Sequence, residues 1–157
     1  MKNIKNLIFI LLIVIFTGCS LKPIKNVAKK DPIYAQNLQY TKVAKLIDKD
    51  IVTTIINVTY LNSVDKKVWS KGLQNFIVGI YFTENKDMKY EMFLNGQKPI
   101  KIKPILKDNI LYKNIAFKNK WAKYYLVRFN DIKKDKLNFT YKEVNKKDTL
   151  IVFDKEY

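Results

Sequence analysis

The chain holds one thiol, Cys19, and no histidine. Without histidine there is no Ser-His or Cys-His pair, and the commonest metal ligand is missing. A single cysteine cannot build a thiolate zinc site. Ser63-Val64-Asp65-Lys66 has the Ser-x-x-Lys spacing in which a lysine amine activates a serine hydroxyl. Such four-residue patterns recur by chance in a lysine-rich chain. The Ser-Asp-Asn and Lys-Thr-Gly elements that accompany this nucleophile elsewhere are absent, and the motif is predicted in a turn rather than opening a helix. Ser63 and Lys66 therefore stand only as a remote catalytic pair. The carboxylates fall mainly in predicted turns, at Asp65, Glu84, Asp87, Asp131, Asp135 and Asp148, where such residues cap and shape turns. Glu91 and Glu143 lie on predicted strands beside lysines and read as exposed cross-strand pairs. Four glycines, Gly18, Gly72, Gly79 and Gly96, make no phosphate-binding loop. No catalytic residue, metal site or cofactor is expected, and the chain reads as non-enzymatic.

Binding chemistry has more candidates. Trp69-Ser70-Lys71-Gly72 places an aromatic ring and a lysine on a predicted loop. Trp69 either packs beneath its own turn, the plainer reading, or contacts a partner. Arg128 is the only arginine. It faces away from Val127 and Phe129, either as a surface residue or as a bidentate anchor. Trp69, Lys71 and Arg128 are the candidate partner-binding residues. Trp121 is assigned to the core, because it shares a strand face with Tyr125, Val127 and Phe129.

These residues must be positioned by strands. Ile51 to Leu61 is rich in Val, Ile, Thr and Tyr. Phe76, Val78, Ile80 and Phe82 alternate with Ile77, Gly79 and Tyr81, so both faces are apolar and this strand should be central. Tyr90 to Leu94 runs into Asn95-Gly96, a strong hairpin signal, with Ile100 and Ile102 beyond it. Further runs are Ile110 to Phe117, Trp121 to Asn130, Leu137 to Tyr141 and Leu150 to Phe153. A first strand is placed within Leu38 to Asp48. Turns are predicted at Asn62 to Lys67, Glu84 to Asp87, Asp131 to Lys136 and Asn145 to Asp148. Short, regularly spaced strands predict an all-β sandwich or barrel.

The chain opens differently. Lys2 and Lys5 precede an unbroken apolar run from Leu7 to Phe16, followed by Thr17-Gly18-Cys19-Ser20. The run is about half the roughly 20 residues a helix needs to cross a bilayer, so it reads as a secretory signal. This segment resembles the signal peptide and lipobox of bacterial lipoproteins, with Phe16 departing from the usual Leu, Val or Ile. The resemblance implies cleavage after Gly18 and lipid on Cys19. Ser20 implies the outer membrane over the inner. Residues 1–18 are then signal peptide. Residues 19–37, with four lysines and two prolines, read as a basic tether. The domain spans 38–157.

Lysine and arginine total 30 against 14 acidic residues, a formal charge of +16. An export signal removes nucleic acid as the partner. Anionic glycan, lipopolysaccharide or lipid head groups fit the compartment. The plainer reading is a solvated face with lysines guarding strand edges, since the lysines are scattered.

The mature region resembles small immunoglobulin-like β-sandwich lipoproteins of Gram-negative envelopes. The likeness rests on the lipobox cysteine, the Phe76 to Phe82 strand and the aromatic strand up to Phe129. It implies an immunoglobulin-like antiparallel β-sandwich of about seven to nine strands, although the cysteine…tryptophan…cysteine pattern of that fold is absent. The expected function is a membrane-anchored envelope module that binds or assembles with a protein. The alternative is lysine-mediated binding of an anionic glycan or lipopolysaccharide.

Overall fold

A computed structural model describes residues 31–84, 88–144, 146 and 148–155. Cys19 and the segments expected to be the signal peptide and most of the tether lie outside the described residues. The described chain is an all-β sandwich with eight strands: β1 (Thr41–Asp48), β2 (Ile51–Tyr60), β3 (Leu73–Phe82), β4 (Tyr90–Leu94), β5 (Lys101–Pro104), β6 (Lys123–Asn130), β7 (Lys136–Glu143) and β8 (Thr149–Asp154). One sheet has the order β1-β2-β3-β6-β5 and the other β4-β7-β8. Every pairing is antiparallel.

The last seven strands reproduce the immunoglobulin order. If β2 is strand A, the sheets read A-B-E-D and C-F-G, the constant-type arrangement, and β1 adds one strand outside A. β3 is the middle strand of the large sheet, as its two apolar faces predict. Phe76, Val78 and Ile80 point between the sheets and Ile77 points to the outer side. In place of a B–F disulfide, Phe76 on β3 meets Phe139 on β7 at 5.5 Å between ring centroids. Phe76 also meets Phe129 and Phe153, so an aromatic cluster joins the two sheets.

A second, smaller core lies on the outer face of the large sheet. Ile77, Tyr124 and Leu126 are covered there by Leu61, Ile105 and Ile115, with Trp69, Leu111 and Tyr112 packed against them. Segments between strands thus supply a partial third layer. Gly79 is what lets Tyr124 lie flat on the sheet, because a Cβ at Gly79 would stand 2.4 Å from Tyr124 Cε1.

Four expectations change. Residues Pro32–Gln39 form a helix, α1, where a tether was expected up to residue 37, while β1 (Thr41–Asp48) lies within the expected Leu38 to Asp48. Proline is pre-set for a first helical position, and Asn37, buried, donates to Ile33 O within the helix. The turn predicted at Asn62 to Lys67 is two one-turn helices, α2 (Leu61–Val64) and α3 (Lys66–Trp69). The strand expected within Ile110 to Phe117 is a one-turn helix, α4 (Ile110–Lys113), capped where Asn109 accepts from Leu111 N. Asn95 and Gly96 do form a tight turn, both with positive φ (48° and 83°), closed by reciprocal Leu94–Gln97 hydrogen bonds of 2.9 Å. The chain then leaves for the other sheet, because Pro99 follows at once and has no N–H for a continuing ladder.

Candidate functional site

One end of the sandwich gathers the β1–β2 turn and the connections that follow β3 and β7. In immunoglobulin terms this is the end of the B–C and F–G loops, where variable domains carry their recognition loops. The strands deliver an unusual group to it. On β7, Leu137, Phe139, Tyr141 and Glu143 share one face, and that face is the core. Period-2 alternation therefore carries a carboxylate inward at the strand's last residue. Glu143 is 5% exposed, which corrects its reading as half of an exposed cross-strand pair.

The buried carboxylate is well supplied with partners. Its Oε1 accepts from Thr54 Oγ1 at 2.8 Å and from Tyr141 OH at 3.0 Å. Its Oε2 has no aligned hydrogen-bond donor but faces Lys146 Nζ at 2.9 Å. That ammonium donates in turn to Thr53 Oγ1 at 2.9 Å. Burial pushes the Tyr141 phenol far above the ordinary tyrosine range, and the adjacent Glu143 charge adds to this. The phenol is therefore a permanent donor. Thr54 and Tyr141 are both fully buried, so neither hydroxyl is open to a substrate.

This cluster stands between two clefts. One of about 420 Å³ is lined by Lys89, Tyr90, Glu91, Lys142, Glu143, Val144 and Asp148. The other, about 260 Å³, is lined by Asp48, Thr53, Phe82, Glu84, Met88 and Lys146. Charges of both signs rim them: Lys142 pairs with Asp148 at 2.6 Å and Lys98 with Glu91 at 2.9 Å. The arrangement suits polar recognition. Among the described residues, no group of three or more acids and thiols is placed to hold a metal.

The residues singled out from sequence lie elsewhere. Trp69 ends α3 half-buried against the outer core, which is the packed reading. Its carbonyl accepts from Asn75 Nδ2 at 3.0 Å. Asn75 faces Arg128 in the β3–β6 register, so Trp69 and Arg128 share a neighbourhood. Arg128 is half-buried rather than a plain surface residue, and its Nε is buried without a hydrogen-bond partner. Lys71 is exposed in the turn that follows. Ser63 and Lys66 fall on separate one-turn helices, because Asp65 between them is extended (φ −148°) and caps α3 by accepting from Val68 N. The continuous helical turn that would stack the pair is therefore broken. Trp121 is 68% exposed, against its assignment to the core. β6 starts only at Lys123, so the alternation that buries Val127 and Phe129 does not extend back to Trp121.

The opposite end carries a second polar cluster. Buried Gln74 accepts from Tyr60 OH at 2.6 Å and donates to Asp131, which also meets Lys155 Nζ at 3.0 Å. The Lys155 hydrogen bond holds the Asp131 carboxyl below the usual aspartate value. Sequence reading missed the Glu143 cluster. The available signal was the parity of Glu143 with Phe139 and Tyr141. The chain matches no protein-family model, no curated protein and no solved structure.

Proposed function

We propose that this is a lipid-anchored envelope protein whose domain engages a protein partner, without catalysis, at the Glu143 end of the sandwich. The observation that carries the binding site is the Glu143–Lys146 pair, buried between two charge-rimmed clefts. A paired charge inside the sheet end fixes the strands that frame both clefts, so the rim is held ready for a partner. The anchor rests on Lys2, Lys5, the Leu7 to Phe16 run and Cys19 in Thr17-Gly18-Cys19-Ser20. Two or more acyl chains, at about 0.8 kcal/mol per buried CH₂, make such an anchor effectively permanent.

Two measurements test this. Mass analysis of the membrane-extracted chain should find residue 19 as an acylated N-terminus, and Cys19→Ala should abolish both the acyl mass and membrane retention. A photo-cross-linking residue at Glu91 or Val144 should give a discrete protein adduct in cells, whereas one at Lys134, at the other end, should not. Equal adducts from both ends, or none from either, would reject the site.

A further inference from the structure

The segment 105–122, which lies over the outer face of the large sheet, breaks the usual rule for a soluble surface. Among the described residues, the three most exposed large hydrophobic side chains all belong to it: Ile110 at 73%, Trp121 at 68% and Leu106 at 64%. Phe117, 51% exposed, belongs to it as well and takes a positive φ of 51°. Bulky side chains rarely adopt that conformation. It is held by Asn57 Nδ2, which donates to Phe117 O at 3.2 Å.

Hydrophobic exposure here comes with one sign of charge. Lys107, Lys113, Lys118 and Lys120 are all exposed on this segment, against a single acid, Asp108. Lys120 Nζ stands 4.4 Å over the Trp121 ring and Lys118 Nζ 4.8 Å over Tyr112. Two of the four lysines thus lie against aromatic rings of the same segment. Two shallow clefts meet along this ridge. Leu106, Lys107 and Lys120 line one, Phe117 and Asn119 the other, and Ala122 lines both.

We infer that segment 105–122 docks on the surface of an anionic lipid bilayer, with Leu106, Ile110, Phe117 and Trp121 entering the interface and the four lysines meeting lipid phosphates. Exposed aliphatic and aromatic side chains interspersed with lysine on one segment are the chemistry of interfacial binding: tryptophan settles at headgroup depth and each lysine near an anionic surface adds attraction. A protein partner large enough to bury four separate protruding side chains would be expected to meet the lysines with carboxylates. A bilayer meets both without a shaped pocket. The inference relies on the envelope reading only to bring the domain to a membrane, and it orients the domain on that membrane.

The position of Trp121 makes a direct test. The chain has two tryptophans, so full-length Trp69→Phe leaves Trp121 as the sole reporter. This chain is reconstituted on phosphatidylglycerol–phosphatidylcholine vesicles whose acyl chains are brominated. Trp121 emission should shift to the blue and be quenched, more strongly than on pure phosphatidylcholine, with the difference removed by high salt. Lys118→Glu with Lys120→Glu should weaken docking by roughly fivefold or more per residue, and both side chains are exposed, so folding is preserved. Trp121→Phe, which keeps Trp69, should show no quenching. Unchanged Trp121 emission on vesicles that hold the chain would overturn the inference, as would equal quenching of both tryptophans. So would shielding of Trp121 that appears only when envelope protein is added. An unacylated Cys19 with Trp121 still quenched would remove the anchor and leave the docking surface standing.

Discussion

Glu143 and Lys146 differ in how deeply they are buried, and that difference decides what each substitution does. The Glu143 side chain is fully shielded from solvent, while that of Lys146 is 16% exposed. Removing one partner of a buried pair costs about 3–5 kcal/mol, because the survivor stays charged and unpaired. Glu143→Gln leaves an ammonium that can still reach water, so its cost should fall at the low end, near 3 kcal/mol. Lys146→Met leaves the carboxylate with only two hydroxyl donors, Thr54 and Tyr141, and should cost more. Urea unfolding of both variants checks this, and a deficit in Lys146→Met no larger than that in Glu143→Gln would show that the ion pair is not what the cluster depends on. Asp131, at the other end, makes stability depend on pH. Its carboxyl is held low by Lys155 and Gln74, so it stabilises the fold above the ordinary aspartate value of about 3.9 and loses that contribution as pH falls through the lowered one. Because Asp131 is 44% exposed, the effect is modest. Asp131→Asn should flatten the acid limb of thermal stability below about pH 4.

Elements form where local signals and burial agree, and segment 105–122 shows what happens when they do not. Its Ile110-Leu111-Tyr112 run resembles a strand in composition, yet the chain turns a short helix there because Asn109 caps it and only Leu111 and Tyr112 find an apolar surface to cover. That surface exists because Gly79 leaves space above β3 for Tyr124, whose hydroxyl accepts from Asn119 N at 2.7 Å. Gly79→Ala should push Tyr124 off the sheet and cost about 1–3 kcal/mol. It should also speed amide exchange across 105–122 more than across β7 and β8, and uniform exchange would separate Gly79 from the control of this segment. No feature of Gly79 in the sequence reports the ring above it, which is why the outer layer was not legible there. The strands were. One-sided burial writes a period of two, which located β6 and β7, while apolar residues on both faces marked β3 as central. Alternation also held the Glu143 site, but only in the parity of its strand with Phe139 and Tyr141. The neighbouring lysines suggested a surface instead. What stayed hidden were the sheet switch after Asn95-Gly96 and the exposure of Trp121, since each depends on where a strand stops rather than on what it contains.

At the scale of the whole molecule, the charge imbalance and the sandwich must coexist. Thirty basic residues face 14 acidic ones, and the ion pairs at Lys98–Glu91 and Lys142–Asp148 are well exposed. Exposed pairs contribute about 0–1 kcal/mol each, whereas like charges spread over one small domain repel throughout. Cohesion must come from the core, where Phe76, Phe129, Phe139 and Phe153 join the two sheets in place of a disulfide. Salt should therefore act on the repulsion more than on the pairs. Raising ionic strength from about 10 mM to about 150 mM shortens the screening length from roughly 30 Å to roughly 8 Å, and the melting temperature should rise. A fall would mean that the exposed pairs outweigh the repulsion. Phe76→Ala should lower the melting point by the same amount at both ionic strengths, at a cost of about 3–5 kcal/mol, since Phe76 is fully buried in the apolar core. The same excess charge that salt relieves would also be relieved by an anionic bilayer, so vesicles of phosphatidylglycerol should stabilise the domain at low salt and cease to do so at high salt. Repulsion within the fold and attraction to the membrane then draw on the same lysines.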